Sequence, residues 1–572
     1  MRVTFLAKLN YWLLFLVIIL PGIISLNCSG YLENRRASHL VDDFIDWYAR
    51  NFPSEATAMG IHKFDDKLET IDSLAVAQWK DQLNSFSARI HKIDINRISQ
   101  RQRQNLSVID KKVNQKLFEL KEWKRWQKDA VFYTEQIYQA VNGLTTVATD
   151  SGVERDQNLI ARIHAIPVFF SKAKQNLTSI DRVNLDRALS QVQQLEPIIG
   201  FQVAKEIYSD ALSDSIKRYA DWALDSLLRF ETFLKTKFSA SGADSGFFSS
   251  QQFQLYLNIM TGEAIPMDSL AQQFENEIDV MVEQMAQLAQ SYYRKSAAKL
   301  NNKQLLKRLN DEIEKDMPRK DQIFDLCWQT ENHVKRFLDD IANLHIPVDY
   351  QLRFETQHHA LMTPGKLLML EHSGIFEKMP VFVCRVQSVT SEMDLFQQLA
   401  LLRAFNKSTL VWMILTEALP LHINYWSQLK KEIAEAAIFF PDPVLMRGWP
   451  IYFAQKLIQM GYGGYKPELR FTAMKKIAQI YFNALVEISY YQQNLTFQQV
   501  ERLFADSQLY HKRDAEEMWI KIHCYPAEDI LTAIGLSKLR RLERQLLKQQ
   551  TGDINHRNIP KMILKSGPVP FE

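Results

Sequence analysis

The 572-residue chain carries 69 Lys and Arg against 66 Asp and Glu, a formal net charge of +3. That balance excludes a polycationic nucleic-acid binder and an acidic disordered tail. Hydrophobic residues make up 46%, enough for a sizeable core, and the 18 Gly and 18 Pro are about half the usual share, so long helices are expected.

The first predicted element is an export signal. Arg2 and Lys8 accompany an apolar run from Tyr11 to Ile24, broken by Pro21-Gly22. The run is shorter than the ~20 residues of a membrane span and has the length of a signal-peptide core. Cys28 follows directly, as in a bacterial lipoprotein whose lipidated first residue is that cysteine. Asn27 departs from the small residue that usually stands there, so an uncleaved anchor or ordinary cleavage nearby are the alternatives. Residues 1–27 are predicted as signal, 28–37 as a short tether and 38–572 as one large helical domain. Cys327, Cys384 and Cys524 are too widely spaced for a disulfide framework or a metal knuckle and read as buried thiols.

From about residue 36, apolar residues recur at steps of three and four. Val41, Phe44, Ile45 and Tyr48 form one stripe; Ile160, Ile163, Ile166, Phe169 and Phe170 another; Leu270, Phe274, Ile278, Met281 and Met285 a third. This spacing predicts amphipathic helices with one face in a core. Segment 238–247 is small and polar and predicts a surface loop. Segment 295–320 predicts a solvated helix. Pro380 to Val386 is short and β-branched and predicts a strand. Segment 408–417 predicts a helix capped by Ser408. Basic clusters at Arg101–Arg103, Lys121–Lys128 and Lys538–Lys548 read as solvated faces of helices. The minority reading for the last is anionic lipid beside a lipid anchor. No nucleic-acid module is present.

One region has the look of a site. The predicted helix runs into Thr416-Glu417-Ala418-Leu419-Pro420-Leu421-His422-Ile423. A carboxylate on an apolar helix near a histidine suggests metal chemistry. His-Glu-x-x-His is absent, however, and Glu417 and His422 lie about 140° apart around a straight helix. Glu417 is either a functional remnant or a paired structural carboxylate.

The chain resembles the bacterial domain-of-unknown-function 885 family, and the resemblance is carried by blocks in order. Pro53, Ala56-Thr57, Gly60, His62 and Phe64-Asp65-Asp66 resemble its opening. Arg162, Ile166-Pro167 and Asn176-Leu177 resemble the next helix pair, and Val381-Phe382-Val383 the strand before its metal helix. Tyr525-Pro526, Gly535 and Gly567-Pro568-Val569-Pro570 resemble its C-terminal blocks. The resemblance implies an all-helical, zincin-like metallopeptidase scaffold with one short strand or a small sheet near the site. It also implies that the chemistry is gone. Where the pattern is H-E-x-x-P-G-H-H, Glu417, Pro420 and His422 remain, but Thr416, Leu421 and Ile423 replace the rest. The Glu of E-G-W-A is Arg447, before Gly448-Trp449. The His of D-x-G-x-H, a block aligned with Glu487 to Tyr491, is Tyr491. P-G-Q is Pro526-Ala527-Glu528.

Thr416 and Ile423 are no ligands for zinc at neutral pH, and a guanidinium repels a dication. The expectation is therefore a pseudoenzyme with no cofactor, in which Glu417 is a vestigial general base and Arg447 takes the place of the metal's charge by pairing with Glu417. His422, Arg447, Trp449, Tyr452, Glu487, Tyr491 and Glu528 are the candidate binding residues. The resemblance further implies a cleft that would serve as a groove for a peptide or envelope-protein partner, lined by Trp412, Trp449, Tyr452 and Tyr491. The alternative is an active hydrolase whose zinc site has been rebuilt around Glu417 and His422, with His358-His359, His372, His511 or His523 approaching. A metal-free Ser or Cys hydrolase is a weaker alternative, with no Gly-x-Ser-x-Gly elbow present. The predicted location is the bacterial cell envelope, periplasm-facing, anchored as a lipoprotein or secreted.

Overall fold

The computed structural model describes residues 30–146, 152–207, 209–238, 246–294, 300–340, 350–374, 380–391, 393–417, 434–512, 514–549 and 558–565. The predicted signal, Cys28, His422 and the closing Gly-Pro-Val-Pro block lie outside them. So does most of segment 238–247, although Phe247 and Phe248 at its edge are buried core residues.

The first half is a helical layer. It comprises α1 (30–51), α2 (Pro53–Ala58), α3 (Ser73–Ile90), α4 (Gln100–Phe118), α5 (Ala130–Asn142), α6 (Val153–Asn176), α7 (Arg182–Pro197) and α8 (Ser213–Phe238). Side-chain caps start four of them. Asp72, Ser99, Asp129 and Asp181 accept the exposed first-turn N–H groups of α3, α4, α5 and α7, which the helix itself leaves without partners. The predicted stripes face the core: Val41, Phe44 and Tyr48 of α1, and Ile163, Ile166, Phe169 and Phe170 of α6, are buried in one cluster with Leu227 and Phe230 of α8.

Arg162 fastens this half at its centre. It is 1% exposed and donates to the carbonyls of Lys67, Ala140 and Pro53 and to Thr57 Oγ1. Thr57 Oγ1 donates to Asp65, which also holds His62 at 2.8 Å. The opening block of the sequence is thus a buried polar knot around one guanidinium, whose five donors suit several acceptors at once.

The second half contains α9 (Ser250–Thr261), α10 (Met267–Tyr293), α11 (Asn302–Lys315) and α12 (Ile323–Asp340). After a small sheet come α13 (Leu395–Ala404), α14 (Lys407–Glu417), α15 (Pro443–Gln459), α16 (Pro467–Gln493), α17 (Phe497–Asp506), α18 (Asp514–Cys524), α19 (Glu528–Gln549) and α20 (Ile559–Lys565). Its main core cluster is separate from the first, and a smaller one lies around the sheet. α11 is not solvated all round: Leu305, Leu306, Leu309 and Ile313 are buried. α14 is capped by Asn406, whose Oδ1 accepts the Thr409 N–H at 3.0 Å, and not by Ser408.

The sheet holds β1 (Gln351–Gln357), β2 (Leu368–His372) and β3 (Val381–Gln387) in the order β1-β3-β2. β3 is the strand predicted from sequence. It is buried along its length because it is central, parallel to β1 and antiparallel to β2. β1 and β2 carry mixed polar residues typical of edge strands, which hid them from a pattern search. Arg385 of β3 donates to Glu371, Glu355 and Asn142 and so ties the sheet to α5. The fold is mainly helical with this one small sheet among the described residues. Cys327, Cys384 and Cys524 are buried free thiols, as the spacing predicts.

Candidate functional site

α14 packs against β2, α15 and α16, which places its C-terminal end beside the sheet. Thr416 is buried there, and its hydroxyl donates to the Trp412 carbonyl at 3.1 Å, one turn back along its own helix. Glu417 meets Lys366 Nζ at 2.7 Å. Lys366 follows the turn at Gly365, where φ is +77° and whose N–H donates to Glu517.

α15 crosses α19 with almost no space between the backbones. A Cβ on Gly448 would lie 2.4 Å from the Gly535 carbonyl carbon, and one on Gly535 2.1 Å from the Val444 oxygen. This close crossing places Arg447, next to Gly448, against Glu528 in the first turn of α19. The two meet at 2.8 Å. The expectation that Arg447 pairs with Glu417 is therefore corrected. Arg447 is set by the glycine crossing and faces α19, while Glu417, on α14, is neutralised by Lys366.

The turn between α18 and α19 completes the cluster. Ala527 has φ +67°, the left-handed region that costs a side chain about 1–2 kcal/mol; the resembled pattern has Gly at that position. In this conformation its N–H donates to Glu487 Oε1 at 2.7 Å. Lys521, in the last turn of α18, holds Asp529 at 2.6 Å. Burial works against the Glu528 carboxylate, but the charges of Arg447, Lys521 and Lys366 outweigh it and hold its pKa below the ordinary carboxylate range. Glu487, 2% exposed, goes the other way. Burial, with Asp529 and Glu528 nearby, pushes it up to about 8 despite the Ala527 N–H and Lys521. Glu487 is thus chiefly protonated at neutral pH.

The expected aromatic groove is corrected as well. Trp412, Trp449, Tyr452 and Tyr491 are buried members of the second-half core. Trp449 stacks on Phe453, and Tyr491 stacks on Phe253 with ring centroids 3.7 Å apart. The histidines weighed as replacement ligands are engaged elsewhere. His523 faces Asp181 at 3.1 Å and His511 faces Glu314 at 3.8 Å. His372 sits against the Ser373 carbonyl and Phe382, and His358 packs on His359.

Lys366, Glu417, Arg447, Glu528, Lys521 and Asp529 form three ion pairs whose charges cancel. A zinc site needs neutral imidazoles, thiolates or carboxylates free to ligate. The described donors do not fit one, because each of these three carboxylates is held by a cation. Among the described residues no group of three His, Cys, Asp or Glu is placed to hold a metal ion. Sequence reading missed Lys366, Lys521 and Asp529. Lys521 and Asp529 carry a signal that could have found them: a cation ends one helix and an anion begins the next, as helix dipoles favour. Lys366 carries none.

Residues 53–572 match the family model described as a bacterial protein of unknown function, DUF885. No curated protein matches the chain. Solved structures share its fold, two of them as follows. One, described as a "putative lipoprotein of unknown function" from Shewanella oneidensis, is 17% identical with a TM-score of 0.73, covering 93% of this chain and 98% of that one. The other, a "putative lipoprotein" from Colwellia psychrerythraea, is 13% identical with a TM-score of 0.77, covering 94% and 97%. No described helix is long and apolar enough to cross a membrane.

Proposed function

The chain belongs to this DUF885 family of bacterial proteins of unknown function, and from that premise we propose that it is an exported lipoprotein, anchored through Cys28, that acts as a non-catalytic binding protein. In this reading its ion pairs stand where metallopeptidase-like relatives would hold a metal. The observation that carries it is the pairing of Arg447 with Glu528 and of Lys366 with Glu417. Together with Lys521 and Asp529 these charges sum to zero, and each of the three carboxylates is held by a cation instead of being free to draw a dication or activate water. A peptide or another envelope protein is the proposed partner, because the scaffold is kept while the ligand positions are not. The like fold of two solved structures described as lipoproteins is consistent with the envelope location.

Peptide hydrolysis with zinc supplied tests the non-catalytic part. Wild type and Glu417→Gln are expected to show the same background rate. Turnover that Glu417→Gln abolishes would overturn the proposal in favour of a rebuilt hydrolase around Glu417 and His422. Incorporation of a fatty-acid label that Cys28→Ala removes tests the anchor.

A further inference from the structure

The N-terminal end of the described chain sits on an exposed patch with two unusual properties. Asn34 of α1 accepts the Ser99 N–H at 2.8 Å and donates to the Gly30 carbonyl, so the start of α1 and the approach to α4 form one surface. Apolar side chains stand out from it: Tyr31 is 67% exposed, Leu32 53% and Ile95 56%. The same two segments carry Arg35, Arg36, Lys92, Arg97, Arg101 and Arg103, all exposed. Segments 30–36 and 92–103 hold these six cations against two carboxylates, Glu33 and Asp94. Their net charge of +4 exceeds the +3 of the whole chain.

Arg101 and Arg103 occupy the beginning of α4, which has no acidic residue in its first turn. The helix dipole disfavours cations there. Glu33 and Asp94, the two carboxylates of these segments, already pair with Arg36 and Arg97 of the same surface. Exposed apolar residues ringed by cations are the composition of surfaces that sit in the headgroup layer of an anionic membrane. The position in the chain agrees. The apolar run Tyr11–Ile24 and Cys28 come immediately before Gly30, so any anchor there would deliver this patch to the bilayer first.

We propose that this patch is a docking face for a membrane surface containing anionic phospholipid, with Tyr31, Leu32 and Ile95 entering the headgroup layer and the arginines pairing with lipid phosphates. The anchor would bring the protein to the membrane, and the patch would fix its orientation there. The proposal rests on the envelope reading for its location only, since the patch is described independently of Cys28.

The test uses the full chain reconstituted with vesicles of phosphatidylcholine, with or without phosphatidylglycerol. Ile95 is replaced by a benzophenone-bearing phenylalanine that crosslinks to lipid on illumination. The exposed Phe396 of α13, replaced in the same way, is the control. Crosslinking at position 95 is expected to exceed that at 396 severalfold with phosphatidylglycerol present. It is expected to fall to the control level in 1 M salt, where screening acts within about 3 Å. Lys92→Glu with Arg103→Glu should abolish it while the protein still floats with the vesicles, and both side chains are exposed, so the variant should fold. Flotation with both vesicle types and no excess crosslinking at 95 would overturn the patch and leave the anchor. Association with anionic vesicles only, with crosslinking at 95, would support the patch and refute the anchor. No association with either would refute both.

Discussion

Arg447 is 36% exposed and Glu528 14%, so their pair is only partly shielded from water. Charge-assisted hydrogen bonds in such a setting contribute about 1–2 kcal/mol, between the exposed and the buried limits. A double-mutant cycle with Arg447→Met and Glu528→Gln, read by urea unfolding, should give a coupling of that size. The same cycle between Arg447 and Glu417 should give a value near zero, and a coupling of equal size there would restore the pairing expected from sequence. Both charges were legible in the sequence as departures from the pattern of the resembled family. Their partners were not, because which carboxylate a guanidinium meets depends on how two distant helices cross.

Glu487 makes a prediction of opposite sign to an ordinary carboxylate. Its folded pKa, about 8, lies above the unfolded value near 4.3, so the folded state binds the extra proton between those two pH values. Stability from this group is full below about pH 4 and falls as pH rises toward 8, by at most about 1.4 kcal/mol per pH unit. Glu487→Gln keeps an oxygen to accept the Ala527 N–H and removes the titration. The variant should therefore gain on wild type as pH is raised from 5 to 8. A constant difference across that range would show that Glu487 is already ionised in the folded protein.

At the scale of elements, the α15–α19 crossing is the part on which the cluster depends. Gly535→Ala would drive a methyl into the Val444 carbonyl, 2.1 Å away. Backbone cannot yield as a side chain can, so the cost should reach about 3 kcal/mol or more, seen as a lower Tm. An unchanged Tm would mean that the helices cross with more room. Gly448 and Gly535 both stand in blocks that resemble the family, and they are the points at which the two backbones meet. The helices themselves were legible, since α1, α6 and α10 place their three-four stripes in the cores. β1 and β2 were not, because edge strands with mixed polar residues carry no clean alternation. The proposed groove residues were misread for a related reason. Trp449, Tyr452 and Tyr491 suit a cleft and a core equally in sequence, and only packing shows that they fill a core.

For the whole molecule, the two largest hydrophobic clusters each draw mainly on one half of the chain, a smaller one lies around the sheet, and segment 434–440 with Cys524 joins the first from the second half. Tyr525 reaches across to Glu135 of α5. The turn that carries Ala527 and Glu528 is thus braced by both halves, and the ion-pair cluster stands beside their junction. Such a place suits a site in a two-part scaffold, and here it holds charges that compensate one another. The measurement that tests this most directly is zinc content by mass spectrometry, on protein purified without chelator and then offered zinc. Fewer than about 0.1 zinc per chain is the expected result, because too few free ligands remain for tight binding. Close to one zinc per chain would contradict it and would mean that other side chains have rebuilt the metal site.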